Sequence, residues 1–98
     1  MIIAVDYDGT LVRDKELNLP LIRWLKGAQR AGDTVILWTC RERQSLNEAI
    51  LLLRSNGFVP NYVNCNPPHV IKQFGYDPRK IFADIYIDDK AQFLNCRA

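Results

Sequence analysis

The chain lacks most of the features that would assign it to a special class. No hydrophobic stretch approaches the ~18 residues of a membrane-spanning helix. No signal-type segment precedes the first apolar run, which predicts a cytoplasmic protein. There is no block of like charge. Thirteen basic and 11 acidic residues are scattered to a net charge of +2, so composition leaves no electrostatic footprint for nucleic acid or a membrane surface. Cysteines are few. Cys40, Cys65 and Cys96 are odd in number and lack zinc-type spacing, which excludes a disulfide framework and reads as reduced thiols. The one histidine, His69, lies in a proline-rich loop and reads as a surface residue. Repeats and low-complexity segments are absent.

What remains is an ordinary globular composition, 48% apolar over 98 residues, enough for one small domain spanning 1–98. The pattern is an α/β alternation. Residues 2–6 are a continuous apolar run ended by a polar turn, which predicts a buried strand. A polar excursion follows over 10–18. A helix is predicted from Leu19 to Ala31, capped by Asn18, with Pro20 in its first turn and Gly32 as its stop. Leu21, Trp24, Leu25 and Ala28 would line its inner face. Thr34–Trp38 reads as a second strand, and Trp38 as core. Arg43–Ser55 reads as a second helix, with Leu46, Ala49, Ile50 and Leu53 inward and Gly57 as terminator. Tyr62–Cys65 is a third short strand. A short helix is predicted near Val70–Phe74, and a fourth strand ends at Ile87. A last helical turn is expected from Lys90. Strands buried on both faces and alternating with helices imply a parallel sheet.

The chemistry gathers at strand ends. The first strand stops at Asp6, with Asp8, Gly9 and Thr10 in the turn. The second stops before Thr39, the fourth before Asp88 and Asp89. In a parallel sheet these ends share one edge, the edge where open α/β sheets bind ligands. Carboxylates forced together there repel unless a cation is shared, and Mg²⁺ is a hard cation suited to a few carboxylate oxygens. Structural alternatives stand beside this reading. Asp8-Gly9 is a common turn dipeptide, and Thr39 or Asp88-Asp89 could cap the helices that follow. Arg41 and Arg43 read as first-turn helix residues or as substrate contacts. Asn64 and Asn66, near the end of the third strand, are weaker candidates for such contacts.

These segments resemble the haloacid dehalogenase superfamily of aspartate-dependent hydrolases. Asp6-Tyr7-Asp8-Gly9-Thr10 matches its first motif, and Val35-Ile36-Leu37-Trp38-Thr39 its second. Lys80 matches its third, with Lys72 as competitor, and Ile85-Tyr86-Ile87-Asp88-Asp89 its fourth. The Leu-Trp-Thr-Cys-Arg segment is also similar to small members from bacteria and their phages. The resemblance implies a three-layer Rossmann-like core with helices on both faces of a short parallel sheet. Its four strands would run in the order 3-2-1-4, with a flap over about 11–18 and no cap domain.

It also implies a Mg²⁺-dependent phosphatase. Asp6 would be the nucleophile that forms an aspartyl-phosphate, and Asp8 the acid and base. Thr39 and Lys80 would hold the phosphate oxygens. The metal would be held by Asp6, the Asp8 backbone carbonyl and Asp88, with Asp89 orienting the metal shell or Lys80. Gly9, Thr10, Cys40 and Arg41 would lie around this centre. Dehalogenation is not expected, because a halide leaves without a proton and needs no Asp8. The expected substrate is a phosphorylated small molecule, a nucleotide or sugar phosphate. An open site suggests a large substrate, loose selectivity, or an oligomeric partner covering it. The rival readings are a phosphatase of nucleic-acid ends, which the scattered charge does not support, and a non-catalytic module binding Mg²⁺ or phosphate. The resemblance also leaves open whether the chain is a minimal core or lacks residues after Asp89.

Overall fold

A computed structural model describes residues 1–90. The expected last turn after Lys90, and Cys96, lie outside the described residues. The elements are β1 (Ile2–Val5), a hairpin of β2 (Val12–Arg13) and β3 (Glu16–Leu17), and α1 (Leu19–Arg30). They continue with β4 (Thr34–Leu37), α2 (Arg43–Ser55), β5 (Tyr62–Val63), α3 (Pro68–Phe74) and β6 (Ile85–Ile87). The sheet is parallel and four-stranded, in the order β5-β4-β1-β6. The order 3-2-1-4 expected for four strands reads this way along the whole chain because the excursion contributes β2 and β3 of its own. These form a separate antiparallel pair. Their two-residue turn, Asp14-Lys15, has φ of 51° and 65°, the left-handed pair that two-residue hairpins use.

Helices cover both faces, as right-handed crossovers require. From β1 the chain steps outward to β4 and β5, so α1 and α2 share a face. Ile22 and Leu25 of α1 and Ala49 and Leu53 of α2 pack there against Ile3, Val5, Val35 and Leu37. The chain then crosses back to β6 through α3 on the other face, where Val70 and Ile81 pack against Ile2, Ala4 and Ile36.

The N-terminus of α1 forms as expected. Leu21 N–H donates to Asn18 Oδ1 at 3.2 Å, and Gly32 follows the helix at φ +98°. Its inner face differs from expectation. Ile22 is buried, whereas Trp24 is 49% exposed. Trp24 stands about 100° round the helix from Leu25, on the side away from Ile22, so the narrow stripe facing the sheet passes it by. Trp38 is likewise not core, at 42% exposed. It falls one residue past the end of β4, beyond the reach of the second apolar cluster. α3 starts at Pro68, two residues before the expected Val70, because a proline is well suited to a first helical turn. β5 ends at Val63, since Asn64 turns with φ 53°.

Candidate functional site

Register builds the site. Val5 pairs with Leu37 on one side and Ile87 on the other. The next residues along, Asp6, Trp38 and Asp88, therefore leave the sheet at one level, with Thr39 and Asp89 one step further. Two backbone bonds continue the ladder into this edge. Asp6 N–H donates to Ile87 O at 3.0 Å, and Trp38 N–H donates to Val5 O at 2.9 Å.

The three acidic residues converge. Carboxylate oxygens of Asp6, Asp88 and Asp89 all lie within 4.8 Å of one another. Burial pushes the Asp6 carboxyl above the ordinary range, and the charges of Asp88, Asp89 and Asp8 push it the same way. A hydrogen bond from Tyr7 N–H opposes them. Asp88 is held below the ordinary range, chiefly by Lys90 N–H, which donates to its Oδ1 at 2.9 Å. Hard oxygen donors in mutual repulsion fit a hard divalent cation, whose charge would relieve them. Asp89 therefore stands among the candidate donors themselves, where the resemblance gave it an orienting role.

The loops carrying these groups are tied together. Asp89 N–H donates to Thr10 Oγ1 at 3.0 Å across 79 residues of chain. The Asp89 carboxylate also packs against Gly9.

Asp6, Asp8, Thr39, Cys40, Lys80, Asp88 and Asp89 line one cavity of about 570 Å³, together with Trp38 and Tyr86. Thr39 is fixed on both sides. Its N–H donates to Asn64 Oδ1 at 2.8 Å, and its hydroxyl accepts from Arg41 N–H at 3.1 Å. Lys80 lines the cavity, with Nζ 5.8 Å from the centre of the Tyr86 ring. Lys72, the competing lysine, is exposed on α3 and does not line it. A second cavity of about 670 Å³ lies on the hairpin side of Asp88 and Asp89. It includes neither Asp6 nor Lys80.

Three side chains took roles the sequence did not reveal. Arg41 clamps Asp8 with two hydrogen bonds, Nε to Oδ2 at 2.9 Å and Nη2 to Oδ1 at 2.8 Å. Its guanidinium also sits 4.7 Å above the Tyr7 ring. These bonds hold the Asp8 carboxyl below the ordinary range, in the ionised form. Asn66 is a buried pin rather than a substrate contact. Its amide donates to Asp77 Oδ1 at 2.8 Å, Lys80 O at 3.2 Å and Pro78 O at 3.3 Å, and its oxygen accepts from Phe82 N–H at 2.7 Å. Asn64 acts through Thr39. None of the three carries a local sequence signal, since each partner is distant along the chain. Cys40 and Cys65 are free thiols, and Cys40 lines the cavity but is not a member of the Asp6, Asp88 and Asp89 cluster.

Among solved structures, the chain is similar to a conserved protein of Bacteroides thetaiotaomicron. The two are 35% identical and superpose with a TM-score of 0.80, over 93% of this chain and 77% of that one. The chain belongs to the family of that conserved protein. No protein-family model matches the chain, and no curated protein does. Among the described residues no helix is long and apolar enough to cross a membrane.

Proposed function

We propose that the protein is a Mg²⁺-dependent phosphomonoester hydrolase built on a capless, Rossmann-like core of the haloacid dehalogenase type. The observation that carries this reading is the convergence of Asp6, Asp88 and Asp89 within 4.8 Å, on a cavity also lined by Thr39 and Lys80. Nucleophile, cation-binding acids, hydroxyl and ammonium are the parts that phosphoryl transfer through a carboxylate needs.

Asp6 attacks phosphorus, and the ester oxygen leaves with a proton from Asp8. Water then attacks the aspartyl-phosphate and gives a proton back to Asp8. The Thr39 hydroxyl and the Lys80 ammonium hold the phosphate oxygens and offset their charge. Asp6, Asp88 and Asp89, with the Asp8 backbone carbonyl, would hold Mg²⁺, which supplies charge neutralisation for an anionic nucleophile approaching an anionic phosphate. Asp8 has to leave Arg41 and take up a proton before it can donate one. Its pairing with Arg41 is therefore a resting arrangement.

The test is phosphate release from a generic phosphomonoester in the presence of Mg²⁺, with Asp6→Asn as the control. Wild-type protein should release phosphate and the variant should fall to background. Equal rates for the two would overturn the reading.

A further inference from the structure

The proposed chemistry leaves two large aromatic residues at the site unused. Trp38 is 42% exposed and Tyr86 38%, both on the wall of the cavity that holds Asp6. Register explains how they meet. Ala4 pairs with Ile36 on one side and Tyr86 on the other. Alternation along the strands carries Ala4, Tyr86 and Trp38 to the face that bears α3. The small side chain of Ala4 leaves room above the sheet, and the two rings meet there with centroids 5.8 Å apart and planes tilted by 57°. The apolar cluster on this face comprises Ile2, Ala4, Ile36, Val70 and Ile81, and does not take in Trp38.

Tyr86 is anchored at its hydroxyl. The Tyr86 hydroxyl donates to Ile81 O and accepts from Ala83 N–H at 3.2 Å. Tyr86 thus serves as a fixed edge against which the indole rests, with Lys80 beside it. A rigid aromatic surface costs little ordering entropy when a ligand binds. The cavity joins this surface to the carboxylate cluster without interruption, and about 570 Å³ is within the size range of small-molecule sites.

We propose that Trp38, backed by Tyr86, is a stacking platform for a planar aromatic ring in the leaving half of the substrate. The substrate class is then nucleoside monophosphates rather than sugar phosphates. This deepens the phosphomonoesterase reading and rests on it for the phosphate end. The phosphate sits toward Lys80 and Asp6, and the base lies on the indole. Stacking reads the π-face that every base has, so the platform selects bases over sugars without choosing among bases.

The experiment compares kcat/KM for adenosine monophosphate and ribose phosphate. Wild-type protein should favour the nucleotide roughly tenfold or more. That ratio should collapse in Trp38→Leu, which keeps apolar bulk, and survive in Trp38→Phe, which keeps a ring. A wild type that does not discriminate, or a Trp38→Leu variant that keeps the ratio, overturns the platform. Failure of the chemistry is read separately. If no ester is hydrolysed above the Asp6→Asn background, binding is measured in a Trp24→Phe, Asp6→Asn protein, where Trp38 is the only tryptophan. Quenching of its fluorescence by adenosine monophosphate and not by ribose phosphate upholds the platform, and equal responses overturn it. A phosphorylated oligonucleotide that binds far more tightly than the mononucleotide, with a steep salt dependence, also overturns it in favour of nucleic-acid ends.

Discussion

The Asp89 carboxylate lies against the bare Cα of Gly9, in the space where any other residue would carry its Cβ. Gly9 also has φ +84°, a conformation that L side chains rarely adopt. Two independent demands thus meet at one residue. Together with the Thr10–Asp89 hydrogen bond, this contact seats the loop after β6 against the loop after β1. The spacing of the acidic cluster depends on that seating.

Gly9→Ala should therefore cost more than its size suggests. The backbone conformation alone penalises alanine by about 1 kcal/mol or more. The new methyl would also push aside the carboxylate of the exposed Asp89 side chain, at little further cost in stability but out of its place in the acidic cluster. Denaturant unfolding should show the loss of stability, and calorimetry should show a weakened response to Mg²⁺. A Gly9→Ala protein with wild-type Mg²⁺ affinity would remove any role for this contact in shaping the cluster.

Asn66 sits 1% exposed and gathers the segment from Asp77 to Phe82, which carries Lys80. Asn66→Ala strands the Phe82 N–H and releases three acceptors. A buried group left without its partner costs about 1–3 kcal/mol, and the loss here should lie at or above the top of that range. Asn66→Asp keeps the acceptor for Phe82 but loses the donors and adds a charge beside Asp77, so it should be at least as harmful. Because the loosened segment holds Lys80, KM for the phosphomonoester should rise in Asn66→Ala. An unchanged KM would separate Asn66 from the positioning of Lys80.

The parts of this molecule that were legible in its sequence are those written in contiguous patterns. β1, β4 and β6 are apolar runs that stop at Asp6, Thr39 and Asp88, and α2 occupies the expected Arg43–Ser55. Their convergence followed because a parallel sheet aligns its strand ends. What could not be read depends on register and on distant partners. Trp24 and Trp38 looked like core because tryptophan is mostly buried, yet a narrow stripe on α1 and the end of β4 leave both half exposed. Arg41 reaches Asp8 across 33 residues, and Asn66 reaches Phe82 across 16. Arg41 could equally have been solvated, and nothing local to Asn66 distinguishes a loop pin from a ligand contact.

The Arg41–Asp8 pair yields a prediction with an unusual sign. Both groups are substantially solvated, at 31% and 59% side-chain exposure, so the pair should contribute no more than about 1 kcal/mol to stability. That contribution is present when Asp8 is ionised. It is lost as the pH falls through the lowered Asp8 value, since the folded-state carboxyl titrates below its ordinary range. In the proposed reaction the same pair would oppose Asp8, because both carboxylate oxygens are engaged by Arg41. Arg41→Gln should therefore raise kcat, by no more than about fivefold, the factor that corresponds to about 1 kcal/mol. A fall in activity of tenfold or more would instead assign Arg41 to substrate binding.

The acidic cluster predicts a reversal of mutational effect with metal. Without a divalent cation, Asp6, Asp88 and Asp89 repel one another, and this repulsion adds to the burial that chiefly raises the Asp6 carboxyl. Asp6→Asn removes the one charge of the three that burial and its neighbours both disfavour, and should leave the metal-free protein at least as stable as wild type. With Mg²⁺ the order should invert. Raising free Mg²⁺ from near its dissociation constant to about a hundredfold above it adds about 2 kcal/mol to any fold that binds it only when native. For a domain of this size that corresponds to a rise in Tm of roughly 10 °C. Asp6→Asn should lose most of that rise, and Ca²⁺ in place of Mg²⁺ should support the Tm increase in wild type less well or without turnover. The measurement is a pair of thermal melts for each protein, in chelator and in Mg²⁺. Curves for wild type that coincide in the two conditions would mean that these carboxylates hold no such ion, and the hydrolytic role of Asp6 would lose its support.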